Sequence, residues 1–291
     1  MKPEERTREY REHIEQYLRN FYTRFHSLPQ KKLFEAMEYS LFAGGKRIRP
    51  ILTLEFCRLC GRDYHYAMPF AAAIEMIQTY SLIHDDLPCM DDDDFRRGKP
   101  TNHKVFGEGM AVLAGDALLT DAFMAAASAS LTDSAAMAKA VSCLAECTGS
   151  LGMVGGQVLD IDSENRLLTE QEVLDIQSRK TGALIRASCV LGVIAGGGSQ
   201  EQIDAAACFA DSLGLAFQIR DDMLDVIGTI AEMGKGVGTD EAKNTFVRLY
   251  GLEHCEELVN RYTKEAVSAL AVFEDTQYLI SLAESLTARR T

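Results

Sequence analysis

Apolar residues recur through this chain at helical spacing. Between Glu4 and Phe25 they fall at Tyr10, Ile14, Tyr17, Leu18, Phe21 and Phe25, one stripe of a 3.6-residue helix. Pro29 separates that helix from a second over about residues 31–42, which Gly44 and Gly45 close. Pro50 suits the first position of a third helix, running to about Cys60 and broken at Gly61, and a fourth is predicted over about residues 67–86. Beyond Pro100 the chain has no proline, is rich in Ala, Leu, Met and Glu, and shows no alternating strand pattern. Capping boxes at Thr169 with Glu172 and at Ser199 with Gln202 mark helix starts, and Gly182, Gly228 and Gly251 mark predicted stops. No linker or repeat interrupts the pattern. The expectation is an all-α fold, a single-domain bundle of about ten or more helices over residues 1–291 around a central cavity.

Composition narrows the function. With 291 residues and 47% hydrophobic content the chain can bury a large core. A formal net charge of −13 without a basic stripe argues against nucleic acid as a partner. The opening MKPEERTREYREHIEQYLRN is too charged for a signal peptide, and no apolar run is expected to reach the ~20 residues of a membrane span, so a cytoplasmic protein is predicted. Eight cysteines include the pairs Cys57/Cys60 and Cys143/Cys147, but no further Cys or His spacing completes a zinc site, and they read as buried free thiols.

The candidate chemistry lies in two aspartate clusters. HDDLPCMDDDDFRRGKP places Asp85, Asp86, Asp91, Asp92, Asp93 and Asp94 within ten residues and follows them with Arg96 and Arg97. A charge run of this kind is often only a solvated loop. A second cluster, DDMLD, makes that reading less economical, because Asp221, Asp222 and Asp225 sit in the apolar run LGLAFQIRDDMLDVIG, where carboxylates need a partner. Asp221 and Asp225, four apart, share a helix face and can share a cation. Oxygen-only ligands suit Mg²⁺, which is held by one or two carboxylates together with substrate phosphates. Asp85 and Asp91 are six apart, roughly 240° around a continuous helix, and cannot share a face. Pro88 ends that helix near Asp86 and lets the insert fold Asp91 back. Lys46, Arg47 and Arg49, ahead of Pro50 at a helix start, form a candidate anion site.

With GGKRIRP, HDDLPCMD, RRG, KTG and FQIRDDMLD, the chain resembles the trans-isoprenyl diphosphate synthases, specifically the bacterial short-chain farnesyl diphosphate synthase group, over nearly its whole length. The resemblance implies the isoprenoid synthase fold, a homodimer, and two to three Mg²⁺ ions held by both motifs. It implies joining of isopentenyl diphosphate to an allylic diphosphate, dimethylallyl or geranyl, by ionisation, condensation and elimination. On this resemblance Asp85, Asp91 and Asp221 hold Mg²⁺ on the allylic diphosphate, with Asp86, Asp222 and Asp225 in support. Arg96, Lys180 and Lys235 grip that diphosphate, while Lys46, Arg49 and Arg97 bind isopentenyl diphosphate. Thr181 and Gln218 offer oxygen dipoles to the allylic carbocation. Tyr80, five residues before Asp85, lies about 1.4 turns earlier on the same helix and is expected to stop chain growth at fifteen carbons.

Gln78 stands where many bacterial relatives carry a histidine in the isopentenyl site, and the interval from Asp240 to Lys243 is short, which makes Lys243 a weaker assignment than Lys235. The insert PCM and the segment NHKVFGE also resemble geranylgeranyl diphosphate synthases. Four other classes fit less well. A serine acyl-transferase suggested by Lys180, Thr181 and Gly182 needs an SxxK, which the chain lacks. A helical metal phosphohydrolase using His84 and Asp85 needs further histidines at complementary spacing. A terpene cyclase needs no second diphosphate site. A non-catalytic subunit of a heteromeric prenyl synthase would not need both motifs intact.

Overall fold

A computed structural model of the protein describes residues 2–129, 134–163, 166–233 and 245–288, the stretch 228–233 as helix backbone only. Its contacts divide the chain into two units of similar size, residues 1–142 with 194–197, and residues 143–193 with 198–291.

The first unit opens with α1 (Pro3–Thr23), α2 (Lys31–Leu41), α3 (Ile48–Leu59) and α4 (Met68–Asp85). The predicted stripe of α1 is its buried face, through Tyr10, Ile14, Leu18 and Phe21, whereas Phe25 lies past the helix end. Pro50 is the third residue of α3 rather than the first. Arg47 caps that helix in the left-handed region and turns inward, donating to Glu75 and, at 2.6 Å, to the Leu41 carbonyl. It is thereby removed from the anion site read from the KRIRP cluster. After α4 come two strands of two residues, β1 (Phe95–Arg96) and β2 (Lys99–Pro100), which the all-helical pattern did not anticipate. Arg97 and Gly98 connect them with φ of 54° and 74°, as a two-residue hairpin turn with both central residues left-handed requires. Then follow the short α5 (Asn102–Phe106) and α6 (Glu108–Ala127).

Helix α6 corrects the expectation about membrane spans: by length and composition it could cross one. While Val112, Leu113 and Met124 of this helix are exposed, another of its faces fits tightly on α4. Ala111, Ala114, Gly115, Leu118 and Ala122 are buried there, and Asp121 within the helix accepts a hydrogen bond from Tyr22 at 3.2 Å. A Cβ on Gly115 would lie 2.1 Å from His84 Nε2, and the same imidazole nitrogen meets the Val112 carbonyl at 3.1 Å.

Helix α7 (Ser134–Thr148) runs across the division between the units. The second unit continues with α8 (Met153–Asp162), α9 (Glu170–Gln177), a π-helical turn at Ser178–Gly182, and α10 (Ala183–Gly196), whose last three residues belong to the first unit. It ends with α11 (Gln200–Met233), α12 (Phe246–Ala269) and α13 (Gln277–Thr287), giving thirteen α-helices among the described residues. Both predicted capping boxes are present, Thr169 with Glu172 and Ser199 with Gln202. Two predicted stops are not. Gly182 lies inside the π turn that joins α9 to α10, where α11 packs against it at Gly214, and α11 runs through Gly228 for 34 residues. Gly251 does interrupt α12, with φ 74° and ψ 164°.

The Gly115 contact generates a prediction. Gly115→Ala should displace His84 and the end of α4, an overpacking cost of about 1–3 kcal/mol, seen as a fall in Tm of roughly 2–10 °C. A melting curve unchanged by the substitution would show that α4 and α6 are not in such close contact.

Candidate active site

The predicted fold-back of the first motif is present. Helix α4 stops at Asp85, and the Asp91 N–H donates to the Asp85 carbonyl at 2.8 Å, which returns the chain across the Pro88 insert. Asp92 takes φ 52° to permit the reversal. Asp85 is half-buried and Asp91 exposed.

Asp86 has a different environment. It is 3% exposed and faces Arg96 of the hairpin, whose Nε and Nη2 both approach its Oδ1 at 2.6 Å. Burial pushes its carboxyl up, and the bond and charge of Arg96 oppose that shift. Arg96, read from the sequence as a diphosphate ligand, is therefore the counter-ion of Asp86 in this state. Arg97 extends from the hairpin turn to donate to the Gly44 carbonyl, and a Cβ on Gly45 would lie 2.9 Å from its guanidinium carbon. Arg97 and the exposed Lys46 are thus brought to one corner of the first unit. Arg49 occupies the first turn of α3, and Gln78 is half-buried on α4. A cleft of about 400 Å³, counting its open mouth, lies between α2, α4 and the hairpin, with Asp86, Arg96 and Arg97 on its wall. Tyr80 is 6% exposed, with its ring 5.7 Å from that of His84 in edge-on contact. Burial, reinforced by the Asp85 charge, pushes its hydroxyl up to about 12.

The second unit carries the other motif on α11. Gln218, Asp221, Asp222 and Asp225 fall at intervals of three and four along one helix face. Asp221 is half-buried and Asp225 exposed, but Asp222 is only 7% exposed. Its Oδ2 accepts the Phe246 N–H at the start of α12 at 2.9 Å, and its Oδ1 accepts from Gln218 Nε2 at 3.1 Å. Burial pushes its carboxyl up to about 6 against the pull of these two bonds. The π turn brings Thr181 to Gln218, hydroxyl to amide oxygen at 3.3 Å. Lys180 in the same turn pairs with Asp160 of α8 at 2.6 Å, a partner that sequence reading missed although Asp160, like the DDMLD aspartates, is a carboxylate in an apolar run. A Cβ on Gly156 would lie 2.3 Å from the Lys180 nitrogen, so α8 can press on the turn only at a glycine. Lys235 and Lys243 lie outside the described residues.

The donor set fits Mg²⁺. Among the described residues no group of three or more His, Cys, Asp or Glu side chains converges into a ready-made cage. Instead, exposed or half-exposed carboxylates stand in pairs at Asp85/Asp91 and Asp221/Asp225, an arrangement suited to an ion that completes its shell with water and phosphate oxygens.

Residues 30–278 match the polyprenyl synthetase family. The chain is 48% identical over 269 residues to the heterodimeric geranylgeranyl pyrophosphate synthase large subunit 1, chloroplastic, of Arabidopsis thaliana, covering 89% of this chain and 72% of that protein. Among solved structures, an apo FPP/GFPP synthase of Zymomonas mobilis matches with a TM-score of 0.84 at 35% identity, over 97% of this chain and 99% of that one. A geranyltransferase of Legionella pneumophila matches with a TM-score of 0.88 at 33% identity, over 99% and 97%. The all-α architecture is that of the isoprenoid synthase fold, and with a family match over most of its length the chain belongs to the polyprenyl synthetase family, the trans-isoprenyl diphosphate synthases.

Proposed function

We propose that this prenyltransferase condenses isopentenyl diphosphate head-to-tail with dimethylallyl and then geranyl diphosphate, in a Mg²⁺-dependent reaction, to give farnesyl diphosphate. The observation that carries the product length is Tyr80, a buried aromatic about 1.4 turns before Asp85 on α4. A chain growing away from the diphosphate along that helix meets its ring.

Asp85, Asp91, Asp221 and Asp225 are the carboxylates accessible to metal, with Asp86 and Asp222 behind them. These residues would hold Mg²⁺, which would supply Lewis-acid neutralisation of the leaving diphosphate. The allylic C–O bond breaks with its electron pair going to that diphosphate. The isopentenyl double bond then attacks the resulting cation to form the new C–C bond, and the released diphosphate takes the proton lost on elimination. Lys180 and Arg96 hold the allylic diphosphate, and Lys46, Arg49, Gln78 and Arg97 the isopentenyl one. The planar guanidinium of Arg97, already lying along the Gly44–Gly45 backbone, suits two phosphate oxygens. Gln218 and Thr181 turn oxygen dipoles toward the cation. We infer that the enzyme is a homodimer, since α6 leaves Val112, Leu113 and Met124 exposed and a second copy could cover them.

A geranylgeranyl product is the second reading, favoured by the name of the 48% identical relative and by the PCM insert. A non-catalytic role in a heteromeric synthase is disfavoured by the complete aspartate motifs.

Product analysis from dimethylallyl and isopentenyl diphosphates separates the two lengths. The wild type should make mainly fifteen-carbon product and Tyr80→Ala longer ones. Mainly twenty-carbon product from the wild type would establish the second reading, and an unchanged distribution in Tyr80→Ala would remove Tyr80 as the stop. Activity should need Mg²⁺, and Asp85→Ala and Asp221→Ala should each lower kcat by roughly 10³-fold or more, since diphosphate departure loses its electrophile. Near-normal turnover in both variants would refute the metal assignment. Arg97→Ala and Lys46→Ala should mainly raise KM for isopentenyl diphosphate, and Arg96→Ala should act on the allylic substrate. Equal effects on both substrates would undo that division.

A further inference from the structure

Of the adjacent aspartates Asp85–Asp86 and Asp221–Asp222, the second of each is turned away from solvent, and in the second unit this buried member leads to a specific assignment. We propose that Asp222 is a positioning residue: it fixes the orientation of the Gln218 amide so that the amide oxygen, rather than the amide nitrogen, is held on the Thr181 side. This rests on the reading of Gln218 and Thr181 given above and extends it to a residue that otherwise counts only as a supporting metal ligand.

The polarity follows from what each atom can do. The Phe246 N–H is a backbone donor at the first turn of α12, and it fixes Asp222 Oδ2 at 2.9 Å. The positive end of the helix favours a carboxylate at that place. With Oδ2 held, Oδ1 faces Gln218 one helical turn earlier, at 3.1 Å. A carboxylate oxygen can only accept, so the amide must present its nitrogen. The two ends of an amide are opposed, and its oxygen is consequently directed to the Thr181 hydroxyl, which donates to it at 3.3 Å. Rotating the amide by 180° would set its oxygen lone pairs against the carboxylate and break the bond to Asp222. The chain Phe246–Asp222–Gln218–Thr181 therefore has one allowed polarity, with the negative end of the Gln218 dipole on the side of the π turn. That is the sign required beside a developing carbocation, and the opposite amide orientation would oppose it. Asp222 has both oxygens engaged within the protein and is 7% exposed, whereas Asp221 and Asp225 on the same face are more accessible.

Asp222→Asn tests the assignment, because it preserves shape and reverses polarity. The oxygen of the substituted side chain would still accept the Phe246 N–H, and its nitrogen would then face Gln218. The Gln218 amide must turn over to accept from it, placing its own nitrogen toward Thr181, whose hydroxyl can accept. Every bond is kept and the dipole is inverted. The expected result is a fall in kcat of about 10²-fold, with KM for isopentenyl diphosphate changed less than about threefold. Mn²⁺ affinity measured by electron paramagnetic resonance with inorganic diphosphate present should also change less than about threefold, and the melting temperature should stay close to that of the wild type. In a Gln218→Ala background the same substitution should have little further effect, because a residue that acts through Gln218 has nothing left to act through. A larger loss of Mn²⁺ affinity, or a full additional loss of kcat in the Gln218→Ala background, would overturn the assignment and make Asp222 a metal ligand in its own right. Should Asp222→Asn not fold, Gln218→Met approaches the same bond from the other side: the kcat loss with unchanged Mn²⁺ affinity is again expected, and wild-type kcat would overturn the proposal. Product formation by the wild type separates the two levels, since its absence would refute the proposed function, whereas the variant results bear on Asp222 alone.

Discussion

A carboxylate buried within a protein needs a counter-ion or hydrogen-bond donors there. Asp86 and Asp222 meet that requirement in different ways. Asp86 is buried against the guanidinium of Arg96, an ion pair that ties the end of α4 to the hairpin. Asp222 is buried against a backbone N–H at the start of α12 and an amide of its own helix. A buried carboxylate left without its donors is costly, so these bonds fix the backbone on which the more exposed aspartates stand. The outer carboxylates keep the accessibility that a hydrated, phosphate-bridged cation needs.

Segments next to the motifs are placed by close approaches that only glycine allows. Helix α6 can lie against His84, immediately before Asp85, because Gly115 has no side chain. Helix α8 can press on the π turn carrying Lys180 and Thr181 because of Gly156. The π turn itself adds one residue to the helical path between α9 and α10, which aims Thr181 at Gln218. In each unit a small residue away from the chemistry sets the position of a side chain within it.

Sequence alone determined the helical class, the boundaries of the early helices to within a residue or two, both capping boxes and the two aspartate motifs, because these depend on local periodicity and on the chemistry of single side chains. It also determined that Asp91 must fold back toward Asp85, since Pro88 forbids the continuous helix that would separate them. Tertiary structure decided what depends on partners distant in the chain. Arg47 looks like an anion ligand in KRIRP, but Glu75, 28 residues away, turns it inward. Gly182 looks like a helix stop, yet the helical path runs through it because its packing against Gly214 of α11 is stronger than a local propensity of about 1 kcal/mol. Adjacent aspartates such as Asp221 and Asp222 are identical in the sequence, and only the fold distinguishes them, because the Arg96 donor to Asp86 comes from the hairpin and the Phe246 N–H donor to Asp222 from α12.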